Sequence, residues 1–294
     1  MSPDFVVLVN PAAGRRSVPV EKITAALDRH GIAHEIRVVD GVDSMRTNVE
    51  EVVRRGRRLV VAGGDGTVGL AAETLIMTGL ATEALPVGIL PLGSGCDLLR
   101  TFGISQNLVE AAAHLIRPGE YRIDLGHLRG DWGERIFANI AQAGIGAAAA
   151  KTAQRLARGL GSARYPLAFV GCFARFRATT VEIDGDITLR SEALAVIMAN
   201  GQFFAGGWNV APKAMLVDGE LDVQVIDARK RQAPNLVPRI IAGTHLRDRS
   251  VTRRSAGAFS LRTGIPWPVE ADGDYCGTTP VTVDVIPGAL AIKI

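Results

Sequence analysis

Three short runs carry the residue types that could do chemistry: Asn10-Pro11-Ala12-Ala13-Gly14, Gly63-Gly64-Asp65-Gly66-Thr67 and Gly93-Ser94-Gly95-Cys96-Asp97. Each stands between an apolar run and a helical pattern. In an open parallel sheet such junctions share the carboxyl edge of the strands, where ligands bind. Glycine there lets backbone N–H groups point into a concavity, and the following helix adds its positive dipole end, so the chemistry is phosphate binding. One such junction would be an ordinary tight turn that needs glycine; three in register favour a phosphate site. Gly64 is expected to hold a conformation that a side chain would resist. Two late acidic turns, Asp218-Gly219 and Asp272-Gly273-Asp274, offer carboxylates, although the same dipeptides build plain hairpin turns.

Other signals are weaker. The Walker sequence GxxxxGK[ST] is absent. A GxGxxA string occupies Gly144–Ala149, but no acid follows at about twenty positions and it lies outside the strand–helix–strand region. It reads as close packing at a domain junction. His30 and His34 have i,i+4 spacing, yet the intervening Gly31 marks a helix end rather than a metal face. The other histidines stand alone and read as structural.

The elements that must position these runs alternate at first. Strands are expected at Phe5–Val9, Glu35–Val39, Leu59–Ala62 and Val87–Leu90. Helices are expected over about Val20–His30, Asp43–Arg55, up to Met77, and Gln106–Ile116. That order means a parallel sheet with covering helices. After Asp124, strand-like runs follow one another at Ile136–Ala141, Val181–Ile183, Ile187–Leu189, Leu194–Ala199, Leu221–Ile226, Val281–Ile286 and Leu290–Ile294, with one helical insertion at Ala147–Phe176. The fold class is therefore α/β plus β. Residues 1–124 form a three-layer parallel-sheet nucleotide domain, and residues 125–294 an antiparallel β-sandwich. The last strand is free to return to the first domain.

Composition narrows the function. Across 294 residues, Lys+Arg 33 against Asp+Glu 30 is too balanced for a dedicated nucleic-acid binder. Cys96, Cys172 and Cys276 are widely spaced, with no CxxC, so neither a zinc knuckle nor a disulfide framework is expected and a reducing cytosol fits. Phe5–Val9 is too short for a signal-peptide core. Ala193–Pro212 is uncharged, but its polar and glycine content argues against a membrane span.

Taken together, Val9–Gly14, Gly63–Thr67, Leu92–Asp97, Asp218–Asp222 and Asp272–Asp274 resemble the catalytic-domain family of the diacylglycerol kinases, which includes bacterial lipid kinases and the sphingosine and ceramide kinases. The likeness covers nearly the whole chain. It implies an ATP-binding α/β domain, a lipid-binding β-sandwich and an active site between them. Gly63, Gly64, Asp65, Gly66 and Thr67 would hold the nucleotide phosphates, with Asp65 close to the phosphate–Mg²⁺ centre and counted with Asp272 as catalytic. Asn10 and Gly14 would shape the nucleotide pocket, and Gly93, Ser94 and Asp97 would contact ATP. Asp272 falls on the family's catalytic base, and Asp274 where the family has Glu. Met215 and Glu220, by their carbonyls, and Asp218 fall on a structural Mg²⁺ site. Two departures stand out: Val68-Gly69-Leu70 replaces x-Asn-Glu, and Cys96 replaces Asn.

The implied function is an ATP- and Mg²⁺-dependent kinase of a membrane lipid such as diacylglycerol or a sphingoid base. It would be cytoplasmic and peripheral at the inner face of the membrane, with no nucleic-acid partner and with room for a homodimer. The alternatives are a soluble kinase like NAD kinase and a non-catalytic nucleotide- or lipid-binding regulator. Eight basic residues between Arg229 and Arg254 (Arg229, Lys230, Arg231, Arg239, Arg247, Arg249, Arg253 and Arg254) face one acid, Asp248. The insertion mixes Lys151, Arg155, Arg158, Arg164, Arg175 and Arg177 with aromatic and aliphatic residues. Such surfaces suit anionic lipid, and a solvated face over a core is the plainer reading.

Overall fold

The computed structural model describes residues 4–11, 13, 18–93, 95–157, 160, 164–227 and 232–294. Gly14, Ser94, Arg158, Arg229, Lys230 and Arg231 therefore lie outside the described residues. The chain divides into two units, Met1–Asp124 with Gly288–Ile294, and Leu125–Pro287.

In the first unit, apolar runs closed by glycine or proline become buried strands. The order is β1 (Phe5–Val9), α1 (Val20–Asp28), β2 (His34–Val38), α2 (Gly41–Arg54), β3 (Arg58–Gly63), α3 (Asp65–Met77), β4 (Gly88–Pro91), α4 (Asp97–Thr101) and α5 (Leu108–Ala112). The four strands are parallel in the order β2-β1-β3-β4. The three strands that end in the glycine-bearing runs are thus neighbours. Val7, Val9, Val60, Ala62 and Leu90 pack against Ile23 and Leu27 of α1 and Ala111 of α5. Helix α3 is buried through Thr67, Val68, Gly69, Ala71, Ala72, Glu73, Thr74 and Leu75, as expected of a helix apolar on every side. The helix expected over Gln106–Ile116 is shorter. Asn107 caps α5 by accepting the Val109 and Glu110 N–H groups, and a 3₁₀ turn continues it over Ala113–Ile116.

The second unit holds β5 (Glu120–Gly130), through which the chain enters it, then β6 (Gly133–Phe137), β7 (Ile140–Gly144), α6 (Ile145–Arg155), α7 (Arg164–Arg175), β8 (Thr179–Gly185), β9 (Leu189–Ala193), β10 (Ala195–Ala199) and β11 (Leu221–Ile226). It continues with α8 (Ala233–Ile241), β12 (Val251–Ala256), β13 (Ala258–Thr263), β14 (Pro268–Ala271), β15 (Asp274–Thr278) and β16 (Val281–Lys293). Two six-stranded sheets, β12-β11-β10-β7-β14-β15 and β6-β5-β16-β13-β8-β9, make a sandwich. Val196, Met198, Val223, Val225, Val181, Ile183, Phe259 and Leu261 meet in its core. Alternate residues of β10 serve two cores: Ala195, Ile197 and Ala199 pack under α7 and α8 with Leu236 and Phe169.

Several expectations need correction. Ile136–Ala141 is two strands, because the chain bends at 138–139 between β6 and β7. The insertion is two helices, α6 and α7, not one. The runs Val281–Ile286 and Leu290–Ile294 are one strand, β16, which continues through Gly288 at φ 54°. Its end, Gly288–Ile294, belongs to the first unit, where the Val87 N–H donates to the Ala291 carbonyl and the Lys293 N–H to the Val87 carbonyl. The Gly144–Ala149 string lies inside the second unit, not at a junction. His30 and His34 are held by the Val109 and Ile32 carbonyls, with Gly31 at φ 65° ending the turn.

Candidate functional site

The carboxyl ends of β1, β3 and β4 bring three loops together in the first unit. Asn10 donates through Nδ2 to Thr67 Oγ1 at 3.0 Å, tying the first loop to the second. The Leu92 and Gly93 N–H groups both donate to the Gly63 carbonyl, at 3.0 and 3.1 Å, tying the third loop to the second. Asp65 completes the link: its two carboxylate oxygens accept the Asp97 N–H at 3.0 Å and the Leu98 N–H at 2.9 Å. Enclosure between the loops raises the Asp65 pKa above the usual carboxylate range, against the pull of those N–H groups.

Glycine is required here for space. A Cβ on Gly93 would come 2.6 Å from the Gly64 Cα, and one on Gly63 would strike Thr67 at 2.5 Å. Gly64 itself has φ −105°, ordinary extended backbone, so the expected conformational demand at this residue is absent. Close approach to Gly93 constrains it instead. Cys96, at φ 47°, places Sγ 3.5 Å from the Gly63 carbonyl and 3.6 Å from the Gly93 carbonyl. Burial pushes its thiol up to about 12, so it stays a neutral donor between the two loops. Asp97 is buried beside Arg100 at 3.3 Å. Asn10, Gly63, Gly64, Asp65, Gly66, Thr67, Gly93 and Asp97 are thus gathered at one sheet edge. The N-terminus of α3 lies there, with the Thr67 and Val68 N–H groups donating to the Gly64 carbonyl, and its positive dipole end favours an anion.

Asp272, in the second unit, occupies the turn between β14 and β15 at φ 48°. Its carboxylate accepts three backbone N–H groups, from Ala138 at 2.8 Å and from Asn139 and Ile140 at 3.0 Å each. The turn is thereby fastened to the bend between β6 and β7. Ile140 and Gln142, two residues apart on β7, also line an apolar cavity walled by Ile145, Tyr165, Phe169, Phe173, Ile197, Phe204, Trp208 and Leu236. Asp274 is exposed and pairs with Arg135 at 3.2 Å. Met215 and Asp218 are exposed, and Asp218 Oδ1 accepts the Glu220 N–H at 3.2 Å. Among the described residues no cluster of three His, Cys, Asp or Glu side chains could hold a metal.

Comparison with known proteins assigns both units. Residues 4–128 match the diacylglycerol kinase catalytic domain, and residues 139–294 match the YegS C-terminal NAD kinase beta sandwich-like domain. The chain belongs to the diacylglycerol kinase catalytic-domain family. It is 29% identical over 294 residues to a diacylglycerol kinase of Mycobacterium tuberculosis, covering 97% of this chain and 93% of that one. It is 34% identical over 215 residues to a "Probable lipid kinase YegS-like" of Pseudomonas fluorescens, covering 71% and 68%. The solved structure of a diacylglycerol kinase from Bacillus anthracis str. Sterne shares its fold, with a TM-score of 0.73 at 19% identity, over 99% of this chain and 96% of that one.

Sequence reasoning gave no role to Gln142 or Glu270, and it had Tyr165 only among the aromatic residues of the insertion. Glu270 is fully buried, and that burial pushes it up to about 8. The available signal was an acid in the middle of the apolar strand Val269-Glu270-Ala271, two residues before Asp272. Among the described residues no helix is long and apolar enough to cross a membrane.

Proposed function

We propose that this chain is a lipid kinase that transfers a phosphoryl group from ATP to a hydroxyl of a lipid. One observation carries the acceptor side. The Asp272 carboxylate is fastened to Ile140, which together with Gln142 lines an apolar cavity within the same unit. A hydrocarbon chain in that cavity would have a polar end beside a carboxylate able to take the hydroxyl proton. The donor side rests on the three joined loops of the first unit, whose backbone N–H groups suit phosphate oxygens. Phosphoryl transfer asks mainly for such positioning and charge neutralisation.

Mg²⁺ fits the donor chemistry of the Asp218 turn, where one carboxylate and the Met215 and Glu220 carbonyls are all hard oxygens. That site would be a structural one, and a separate Mg²⁺ bound with the nucleotide would neutralise phosphate charge. The reading places the chain at an anionic membrane surface, on its cytoplasmic side. In its support, α7 lines the cavity with Tyr165, Phe169 and Phe173 while exposing Leu167 and Val170, and Arg247, Arg249 and Arg254 are exposed.

The test is transfer of label from ATP to a panel of diacylglycerols, sphingoid bases and NAD. Labelled lipid is the expected product. Labelled NAD alone, or ATP binding with no turnover on any acceptor, would overturn the reading.

A further inference from the structure

One buried acid has no part in the chemistry above. Glu270 lies in β14 between the buried Val269 and Ala271 and is itself fully enclosed. Burying a carboxyl is costly, and burial pushes this one up to about 8. The sandwich core alone would be better served by an apolar residue at this position. What the carboxyl holds is local. Its Oε2 accepts the Gly273 N–H at 2.8 Å, and its Oε1 accepts Gln142 Nε2 at 2.6 Å from the neighbouring strand β7. A Cβ at position 146 would stand 1.8 Å from Gln142 Oε1, so Gly146 leaves room for the amide that steadies Glu270. Strand β15 bulges at Cys276, where the pairing steps from Val269–Gly277 to Glu270–Tyr275. Bulges of this kind re-aim side chains.

Gly273 follows Asp272, and the two residues form a turn with φ 48° at Asp272 and 89° at Gly273. Left-handed backbone is uncommon for a residue other than glycine and persists where the surroundings fix it. The peptide that joins the two residues carries the N–H held by Glu270. The Gly273 carbonyl accepts Gln154 Nε2 of α6 at 3.2 Å. The turn is thus held from inside the sheet and from the helix above it.

We propose that Glu270 is a positioning residue for the acceptor base: by holding the Gly273 N–H it fixes the left-handed turn from which the Asp272 carboxylate is aimed at the acceptor hydroxyl. The proposal rests on the lipid-kinase reading above, in which Asp272 takes the hydroxyl proton, and adds the group that presets it. The bonds from Ala138, Asn139 and Ile140 fix the Asp272 carboxylate, while Glu270 fixes the backbone that carries it. A general base must lie within hydrogen-bond reach of its proton, and a misplacement of about 1 Å can lower the rate about 10²-fold.

The experiment measures kcat at saturating ATP and lipid, with the detergent-dispersed lipid that wild type labels best, at a temperature where circular dichroism shows every variant folded. Glu270→Leu is expected to lower kcat about ten- to hundredfold and to leave the KM for ATP unchanged. Glu270→Gln keeps an oxygen for the Gly273 N–H and is expected to restore most of the rate. Glu270→Leu combined with Gln142→Leu replaces both polar partners by apolar groups of similar size, which is close to neutral for stability. It is expected to regain unfolding temperature over Glu270→Leu alone and to stay slow. In an Asp272→Asn background, Glu270→Leu is expected to add little, because the group it positions is gone. A wild-type rate in Glu270→Leu, a rate that returns with stability in the double variant, or a full further loss in the Asp272→Asn background would overturn the proposal and leave the kinase reading standing. Absence of transfer by wild type to every lipid on the panel, or undiminished transfer by Asp272→Asn, would remove the reading beneath it.

Discussion

Asp65 in the first unit and Asp272 in the second use the same device. Each carboxylate, Asp65 at the start of α3 and Asp272 in a hairpin turn, fastens a distant piece of backbone by its N–H groups: Asp97 and Leu98 for Asp65, and Ala138, Asn139 and Ile140 for Asp272. They differ in what surrounds them. Asp65 is enclosed between loops joined by glycine contact, and that enclosure raises its pKa. Asp272 is partly exposed, and the strand it fastens lines the cavity. The first arrangement closes three loops on one another. The second holds a carboxylate still while leaving it partly exposed.

The largest expected effect separates these roles. Asp272→Asn should lower kcat by about 10²–10⁴, the contribution of a general base. The turn itself tolerates Asn at positive φ, but an amide has one acceptor oxygen for three N–H donors. A stability loss of about 1–3 kcal/mol should therefore accompany it. Asp65→Asn should weaken the loop cluster and ATP binding while leaving kcat at saturating ATP far less affected. Equal loss of kcat in both variants would erase the distinction.

The next effect concerns pH. Glu270 is raised from 4.5 to about 8 by burial, so the folded chain binds this proton more tightly than the unfolded one. Its carboxyl thus lets stability fall as pH rises from about 4.5 to about 8, by an amount on the order of a few kcal/mol. Glu270→Gln has no proton to lose there and should flatten this part of the profile. Thermal unfolding at pH 5, 6.5 and 8 measures it, and parallel profiles for wild type and variant would locate the pH dependence elsewhere. Asp65, also raised, should contribute with the same sign.

The glycine contact gives an asymmetric pair. Gly93→Ala puts a Cβ 2.6 Å from the Gly64 Cα, whereas Gly64→Ala puts one 3.4 Å from the Gly93 Cα on backbone any residue adopts. Gly93→Ala should cost about 1–3 kcal/mol, as overpacking does, and weaken ATP binding measured by calorimetry. Gly64→Ala should cost less on both counts. The reverse order would show that backbone conformation, rather than loop contact, governs the cradle.

The same contrast explains what could be read from the sequence. In the first unit, Val6–Val9, Leu59–Ala62 and Ile89–Leu90 are continuous buried runs ended by small residues, so strands, helices and loops were all legible. In the second unit, β5 carries Arg122, Asp124, His127 and Arg129, and β12 carries Arg253 and Arg254. Charge at alternate or edge positions hid both strands inside what looked like loop or basic surface. Asp272 looked like any hairpin aspartate because its three donors lie more than 130 residues earlier in the chain. Gly146 read as close packing at a domain junction, whereas its reason, the Gln142 amide, lies within the second unit and is set by the register of β7 against β14.

Arg253 and Arg254 bring the comparison down to adjacent residues and to the smallest expected effect. The sequence grouped them in one basic cluster, open to a membrane-facing or a plain solvated reading. In β12 they point to opposite faces: Arg253 pairs with the buried Asp222, and Arg254 is exposed. Arg253→Gln leaves Asp222 with the Gln224 amide but without its guanidinium, so it should lower the unfolding temperature and leave vesicle binding little changed. Arg254→Gln should do the opposite. One cation near an anionic leaflet is worth about 1 kcal/mol, roughly a fivefold loss of vesicle affinity, and salt screens it within about 10 Å at 0.1 M. The loss should appear in co-sedimentation with anionic vesicles at low salt, shrink as salt is added, and be absent on neutral vesicles. Equal binding by wild type and Arg254→Gln under those conditions would mean that this cation does not meet the membrane, and that the exposed face of α7, with Leu167 and Val170, must account for any vesicle binding without it.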